Sequence, residues 1–278
     1  YAMQSRHSIF NRYIKKIPFV FLQHGVIALK RVDNFYGKGK KGGCDLFVVS
    51  TNKEKQTIVE NFEYEPDEVI NTGLPRWDVL KDKSQGKREI LIMPTWRNWL
   101  DSVPDKDFEE SDYFRHYMGL LNSERLNQIL EKYDLEVNFY LHAKFQEYAD
   151  TFKSISKRIH LISFGEVAVN EMLMRCRMLI TDYSSVCWDI LYQDKPSLFY
   201  QFDIEKYNEA HGSYIDMETE LFGDRAATQE QLLNYLEETV QNDFRLKPEY
   251  EKMRGEYLQF KDHEHSRHIC EEIKKRFH

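Results

Sequence analysis

Two histidines follow short apolar runs, the position at which open α/β sheets place catalytic groups. His24 follows the run Phe19–Leu22 and Gln23, and it precedes Gly25. His142 directly follows the run Val137–Leu141. An imidazole, with an ordinary pKa of about 6.5, can accept the proton of an attacking hydroxyl. The position predicts either an acid–base group or a capping or core histidine at each site.

Two other strand ends carry groups suited to phosphate. Arg97 follows Ile90–Met93, and its planar guanidinium can clamp a phosphate through several donors. Thr181-Asp182-Tyr183-Ser184-Ser185 leads from an apolar run into a helical pattern. The N–H groups of a first helical turn lack intrahelical partners and favour anions. The alternatives are an arginine in a surface ion pair and a serine N-cap without a ligand.

Other chemistries find little support. The serine turn lacks the glycines and the lysine of a P-loop, and the chain has no HExxH, GxSxG or CxxC motif, which disfavours ATPases and zinc hydrolases. His263, His265 and His268 cannot all lie on one helix face, so we expect no metal site there and no obligatory metal or cofactor. The cysteines have no paired spacing and are expected to be free thiols: Cys44, Cys176, Cys187 and Cys270.

Short apolar runs alternating with amphipathic patterns should position these groups, which predicts an α/β fold with parallel sheets. No strand is expected after Tyr200. The predicted strands are Phe19–Leu22, Leu46–Ser50, Ile90–Met93, Val137–Leu141, Met178–Thr181 and Ser197–Tyr200. The predicted helices are Asn52–Phe62, Asn122–Lys132, Glu166–Arg175, Val186–Gln193, Thr228–Val240, Glu249–Phe260 and Glu264–Phe277.

Two helix starts carry the capping-box pattern, in which a Thr is followed three residues later by Glu or Gln. These pairs are Thr51 with Glu54 and Thr228 with Gln231. The polar stretch Lys81–Arg88 suggests a domain boundary. We predict a first Rossmann-like domain over 1–82, a second over 83–260, and a C-terminal helix over 261–278 that packs back on the first.

Charge is distributed unevenly along a chain of 278 residues with a net charge of −7. Residues 1–43 hold nine Lys or Arg and one Asp. They include the segments Arg12–Lys16 and Lys30–Lys41. A local basic segment on an acidic protein indicates an anionic partner at one place. Nucleic acid, anionic lipid and a polyphosphate chain all fit, as does a merely solvated surface, although the acidic remainder disfavours nucleic acid.

The ordered motifs resemble the CDP-glycerol glycerophosphotransferase family, whose members build teichoic acids and related polymers. Apart from the motifs already given, the resemblance rests on a set of short matches spread from Phe19 to Asp216. The quoted residues are Gly73-Leu74-Pro75-Arg76-Trp77-Asp78, Pro94-Thr95-Trp96-Arg97, Asp189, Lys195-Pro196, Tyr200, Phe202-Asp203, Tyr207 and Gly212. Val26, Trp77 and Ala143 depart from the family's usual residues, which affects the acceptor side more than the donor side.

The resemblance implies a GT-B arrangement of two Rossmann-like domains around a cleft, with the first domain incomplete here. It implies transfer of glycerol phosphate from CDP-glycerol to a lipid-linked, polyanionic acceptor at the cytoplasmic face of the membrane, with CMP released. Alternatives are CDP-ribitol as the donor, a nucleotide-sugar glycosyltransferase or epimerase, and a non-catalytic binding module.

Roles for individual residues follow from the same resemblance. His24 and His142 would be catalytic. Gly25 and Arg76 would lie on the acceptor side or at the interface. The expected donor-binding residues are Arg97, Thr181, Asp182, Ser184 and Ser185.

Overall fold

The computed structural model describes residues 17–277, so the basic segment Arg12–Lys16 lies outside the described residues. The chain forms two compact units. Among the described residues, the first comprises 17–79, 211–215 and 253–277, and the second comprises 80–210 and 216–252. The domain boundaries at 82/83 and 260/261 stay predictions, because compactness alone does not define a domain that folds by itself.

The sheet of the first unit is parallel, with strand order β1-β2-β3. Its central strand, β2, is buried on both faces, as an unbroken apolar run requires. Successive side chains of a strand point to opposite faces. One face therefore packs with the cluster around Phe62 and the other with Ile269 of the C-terminal helix. The strands are β1 (Val20–Phe21), β2 (Leu46–Val49) and β3 (Val69–Asn71).

The second unit contains a six-stranded, fully parallel sheet of order β6-β5-β4-β7-β8-β9. Counted within the unit this is 3-2-1-4-5-6, the doubly wound order of Rossmann folds, whose switch point lies between its first and fourth strands. Here those strands are β4 and β7. The strands are β4 (Glu89–Ile92), β5 (Glu136–Tyr140), β6 (Ile159–Ile162), β7 (Met178–Thr181), β8 (Ser197–Tyr200) and β9 (Asp224–Ala226).

The segments between the strands contain α-helices and short 3₁₀ segments. The 3₁₀ segments are Pro66–Glu68, Pro75–Val79, Asn98–Leu100 and Ala143–Thr151. The helices are α1 (Asp33–Tyr36), α2 (Asn52–Phe62), α3 (Asp105–Glu109), α4 (Asp112–Leu121), α5 (Glu124–Lys132), α6 (Val169–Arg175), α7 (Val186–Tyr192), α8 (Ile204–Ala210), α9 (Gln229–Gln241), α10 (Pro248–Tyr257) and α11 (His265–Phe277). Within residues 17–277, none of them is both long enough and apolar enough to span a membrane.

The predicted α/β class with parallel sheets is confirmed, and so are the six predicted strands, with ends that shift by about one residue. The expectation of no strand after Tyr200 is wrong, because β9 pairs with β8 at the sheet edge. Its sequence, Asp-Arg-Ala, is too short and too polar to stand out. The capping box at Thr228 and Gln231 is confirmed.

Candidate functional site

The switch point of the second unit is tied together by side-chain bonds between the loops that follow β4 and β7. Thr181 Oγ1 donates to the Met93 carbonyl at 2.7 Å. Asp182 Oδ1 accepts the backbone N–H of Thr95 at 2.8 Å and that of Tyr183 at 2.6 Å. The two loops that carry the predicted phosphate-binding residues are thus held together at one edge of the sheet.

Arg97 joins this edge to the loop after β8. Its side chain is fully buried between two carboxylates, with Nη1 2.9 Å from Asp182 Oδ2 and Nε 2.7 Å from Asp203 Oδ2. Nη2 donates to Asp203 Oδ1 at 3.0 Å, and Nη1 also donates to the Thr95 carbonyl at 2.7 Å. We call Arg97, Asp182 and Asp203 the arginine clasp.

Aromatic rings surround the clasp. The guanidinium lies 4.8 Å from the ring centre of Tyr183, which stacks on Tyr207 at 3.6 Å, and the Tyr183 hydroxyl donates to Asp203. Burial by itself would lower the pKa of Arg97, but the carboxylates of Asp182 and Asp203 raise that pKa well above its usual value. Arg97 is therefore permanently charged, and removing its charge leaves the carboxylates of Asp182 and Asp203 without a counter-charge.

Three of the predicted donor-binding residues belong to the clasp or adjoin it. Arg97, Thr181 and Asp182 are each at most 1% exposed, and their polar atoms bond to the neighbouring loops. Their part in donor binding stays a prediction. The burial of Arg97 could not be predicted from its own position, because its partner Asp203 lies 106 residues away.

Ser184 and Ser185 are the partly exposed members of the same turn. Ser185 is the N-cap residue of α7, and its side chain makes no cap hydrogen bond among the described residues. The Ser184 hydroxyl lies 3.5 Å from the Val186 nitrogen, at the limit of a hydrogen bond. These hydroxyls and the first-turn N–H groups can donate to an anion at the switch point.

His142 lies at the carboxyl end of β5, the strand beside β4, and begins the 3₁₀ segment Ala143–Thr151. Its Nδ1 accepts the Lys144 backbone N–H at 3.1 Å, and its ring stacks near Trp96 with centroids 6.4 Å apart. A neutral imidazole whose Nδ1 accepts carries its proton on Nε2. The cap thus presents Nε2–H as a donor.

In the first unit, His24 lies in the loop after β1. Arg76, in the 3₁₀ segment Pro75–Val79, donates through Nη1 to the His24 carbonyl, and Gly25 is buried beside it. Partial desolvation by surrounding residues and, second, the charge of Arg76 lower the pKa of His24 below its ordinary 6.5. His24 is therefore neutral near pH 7 and able to accept a proton.

Glu54 is a positioning residue that sequence reasoning missed. Its carboxylate, 3% exposed, accepts the Ile27 backbone N–H at 2.6 Å and both the N–H and the hydroxyl of Ser50 at 2.7 and 2.6 Å. It was predicted to complete a capping box with Thr51, whose hydroxyl does accept the Glu54 N–H at 2.9 Å. The carboxylate instead ties the end of β2 to the His24 loop.

The basic segment Lys30–Lys41 is only partly free to meet an anion. Lys38 pairs with Glu68 at 2.7 Å, and Arg31 lies over the Tyr214 ring at 5.2 Å, whereas Lys40 and Lys41 are exposed. The stretch 37–42 has the G-x-G-x-x-G spacing, but it follows a helix and leads into β2. That order is the reverse of the strand-to-helix turn of dinucleotide sites.

Comparison with known proteins identifies the family to which the chain belongs. The family model described as CDP-Glycerol:Poly(glycerophosphate) glycerophosphotransferase matches residues 4–275. The minor teichoic acid biosynthesis protein GgaB of Bacillus subtilis (strain 168) is 30% identical over 270 residues, which cover 91% of this chain and 29% of GgaB. The teichoic acid poly(ribitol-phosphate) polymerase of Bacillus spizizenii is 28% identical, over 70% of this chain and 32% of its own length.

Among solved structures, the wall teichoic acid polymerase TagF has the same fold. It superposes with a TM-score of 0.66 at 19% identity, over 92% of this chain and 68% of that chain. The likeness assigns a GT-B-like α/β fold with two parallel sheets. The chain spans about a third or less of the length of the two curated relatives above.

Replacing Arg97 with Met tests the clasp. The change leaves Asp182 and Asp203 buried without a counter-charge, so we expect the free energy of unfolding to fall by about 3–5 kcal/mol. Urea unfolding followed by tryptophan fluorescence measures it. Arg115→Met is the matched control. Arg115 is exposed and, within residues 17–277, its ion-pair partner is the exposed Asp112, so this change should cost less than about 1 kcal/mol. Equal effects of the two changes would contradict the clasp's role.

Proposed function

We propose that the chain, which belongs to the CDP-glycerol:poly(glycerophosphate) glycerophosphotransferase family, is a transferase. It moves an alditol phosphate from a CDP-alditol to a hydroxyl of a poly(alditol phosphate) acceptor. The observation that carries the proposal is that the serine turn and the arginine clasp lie at the switch point of a Rossmann-type sheet, with His142 at the end of the adjoining strand β5 and beside Trp96. Such switch points are where doubly wound sheets bind nucleotides.

The donor's pyrophosphate is assigned to Ser184, Ser185 and the first-turn N–H groups of α7. The clasp holds these groups in place without contacting the donor. His142 is assigned the task of donating a hydrogen bond from Nε2 to the leaving phosphate. This assignment agrees with its Nδ1 being occupied by the Lys144 N–H at 3.1 Å. Transfer of a phosphoryl-type group depends mainly on positioning and charge stabilisation.

The chemical step is a substitution at the β-phosphorus of the donor. An acceptor hydroxyl oxygen forms the new P–O bond, the bond to the bridging oxygen breaks, and CMP leaves with the electron pair. His24 takes the hydroxyl proton as general base. Its lowered pKa keeps it unprotonated at neutral pH, as a base must be. Glu54 and Arg76 position it by holding the loop and its carbonyl.

The acceptor is assigned as a lipid-linked polyanion at the cytoplasmic membrane surface. The exposed Lys40 and Lys41 supply the local positive charge in the first unit. Two donors remain candidates. The family model favours CDP-glycerol, whereas the likeness to a poly(ribitol-phosphate) polymerase favours CDP-ribitol. The two donors differ only in the length of the alditol.

CMP release in the presence of a poly(glycerol phosphate) acceptor tests the proposal. We expect release from CDP-glycerol or CDP-ribitol but not from UDP-GlcNAc. His24→Ala should lower turnover by about 10²–10⁴-fold, the range for a positioned base. His160→Gln is the control, because His160 is an exposed edge-strand residue. Donor binding without any CMP release would instead favour a binding module, and a His24→Ala variant within a few-fold of wild type would remove the base role.

The pH dependence of kcat/KM tests the environment of His24. Because only neutral His24 accepts a proton, activity should rise with pH and level off above an apparent pKa lower than 6.5. Arg76→Gln removes one of the causes of the lowered pKa, so the inflection should move up towards 6.5. The exposed Arg115 provides the control variant Arg115→Gln. An inflection that Arg76→Gln leaves in place would refute this electrostatic role.

A further inference from the structure

The segment that carries Arg76 packs against the start of the C-terminal helix α11, within the first unit. Residues 72–78 run from the end of β3 into the 3₁₀ segment Pro75–Val79, and Arg76 donates to the His24 carbonyl. We call residues 72–78 the Arg76 segment. Whatever holds this segment in place also holds the guanidinium that meets the loop of His24.

His265, the first residue of α11, fastens the start of the Arg76 segment. Its side chain is fully buried, and its Nδ1 lies 2.8 Å from the Thr72 carbonyl oxygen. A carbonyl oxygen only accepts hydrogen bonds, so Nδ1 carries the proton and acts as the donor. The ring also lies against Gly73, whose φ is 76°. A Cβ at Gly73 would collide with the imidazole, so both the backbone conformation and the available space require glycine.

Asp78 fastens the other end of the same segment to the helix. Its carboxylate accepts the backbone N–H groups of His265 and Ser266 at 2.7 and 2.9 Å. First-turn N–H groups lack intrahelical acceptors and favour a negative charge. Burial alone would raise the pKa of Asp78, but the hydrogen bonds from Ser266 and His265 lower it. The helix therefore holds the Arg76 segment at both of its ends.

Trp77 adds an aromatic contact between the segment and the helix. Its side chain is fully buried, and its ring meets that of His265 edge to face, with the centroids 5.7 Å apart. Aromatic pairs in this geometry contribute beyond the area that they bury. The Trp77 carbonyl also lies 3.1 Å from Nδ1 of His263, which precedes the helix. Trp77 is one of the departures from the family's usual residues, and its burial places that departure in the packing against α11.

Fixing the segment matters because Arg76 has a long side chain. A guanidinium on a mobile backbone would lose much conformational freedom on bonding to the His24 carbonyl, and that loss opposes the bond. Here the backbone is held on both sides of Arg76, at Thr72 and at Asp78. The Thr72 N–H also donates to the Val49 carbonyl at 3.2 Å, which ties the segment to β2. The packing of α11 thus prepares the bond from Arg76 to the His24 loop.

We propose that His265 is a positioning residue for the transfer reaction: from α11 it holds the Arg76 segment, and through Arg76 it sets the place of the His24 loop. His265 touches no reacting group in this scheme. Its role in catalysis rests on the proposed function, whereas its mechanical link to His24 does not. The state of His24 is therefore measured directly, alongside turnover.

NMR titration of the full chain, labelled in its histidines, measures the pKa of His24 in each variant. His265→Gln removes the donor at the Nδ1 position, so Arg76 loses its fixed place and the pKa of His24 should rise from its lowered value towards 6.5. His265→Asn is the conservative variant, because its amide nitrogen takes the place of Nδ1 and should keep that pKa low. Ile269→Val is the matched control, since it trims the packing of α11 on β2 and β3 and leaves His265 in place.

Turnover should follow the same order as the pKa of His24. His265→Gln should lower kcat for CMP release by about 10- to 100-fold, as a slightly misplaced base does, with the KM for the CDP-alditol unchanged. Added to Arg76→Gln, it should shift the pKa of His24 no further than Arg76→Gln alone, because both changes act through the same guanidinium.

The proposal is overturned if His265→Gln leaves the pKa of His24 at its wild-type value, or if Ile269→Val raises that pKa equally. It is also overturned if His265→Asn behaves like His265→Gln. A general loss of folding would affect both polar replacements alike, so it counts against the proposal. A wild-type chain that releases no CMP would refute the proposed function instead, while the pKa comparison would still decide the link from His265 to His24.

Discussion

The burial of one guanidinium between two carboxylates is the constraint on which the second unit's site depends. Arg97 joins the loops after β4, β7 and β8 through Asp182 and Asp203; the side chains of Arg97 and Asp182 are fully buried, and that of Asp203 is 11% exposed. Such a cluster contributes little net stability compared with an apolar core, but any incomplete version of it is costly. It therefore selects one arrangement of the three loops, and that arrangement places Ser184 and Ser185 at the partly exposed edge.

The first unit uses the same principle with a different group. Glu54 is a buried carboxylate that is satisfied by backbone N–H groups and a hydroxyl rather than by a cation. Burial raises the pKa of Glu54, while the bonds from Ile27 and Ser50 act in the opposite direction. In both units, then, a buried ionisable side chain fixes a loop of the candidate site: Glu54 holds the loop that carries His24, and Arg97 holds the loop that carries Ser184 and Ser185.

Local patterns predicted most of the fold. Buried strands such as β7 are unbroken apolar runs, and the Thr228 capping box needs only residues three apart, so both are readable from the sequence. The strands that escaped prediction are short or carry polar residues. β6 is an edge strand in which His160 and Leu161 are exposed, and β9 is a three-residue edge strand. Their pairing depends on the sheet rather than on their own composition.

The candidate site was predictable in its location but less so in its roles. The histidines and the serine turn were expected at strand ends, and the structure places them there, because strand ends are visible in the sequence. Whether Arg97 contacts a ligand or is buried depends on Asp203, and what Glu54 does depends on Ile27, 27 residues away. Such long-range partners leave no periodic signal. The structure differs most from the prediction where charged residues are buried.

The most direct measurement is a calorimetric titration of the full chain with CDP-glycerol and with CDP-ribitol, with UDP-GlcNAc as the comparison. The account predicts saturable binding of one CDP-alditol per chain and no comparable binding of UDP-GlcNAc. Preference for UDP-GlcNAc, or binding of none of the three nucleotides, would contradict the account.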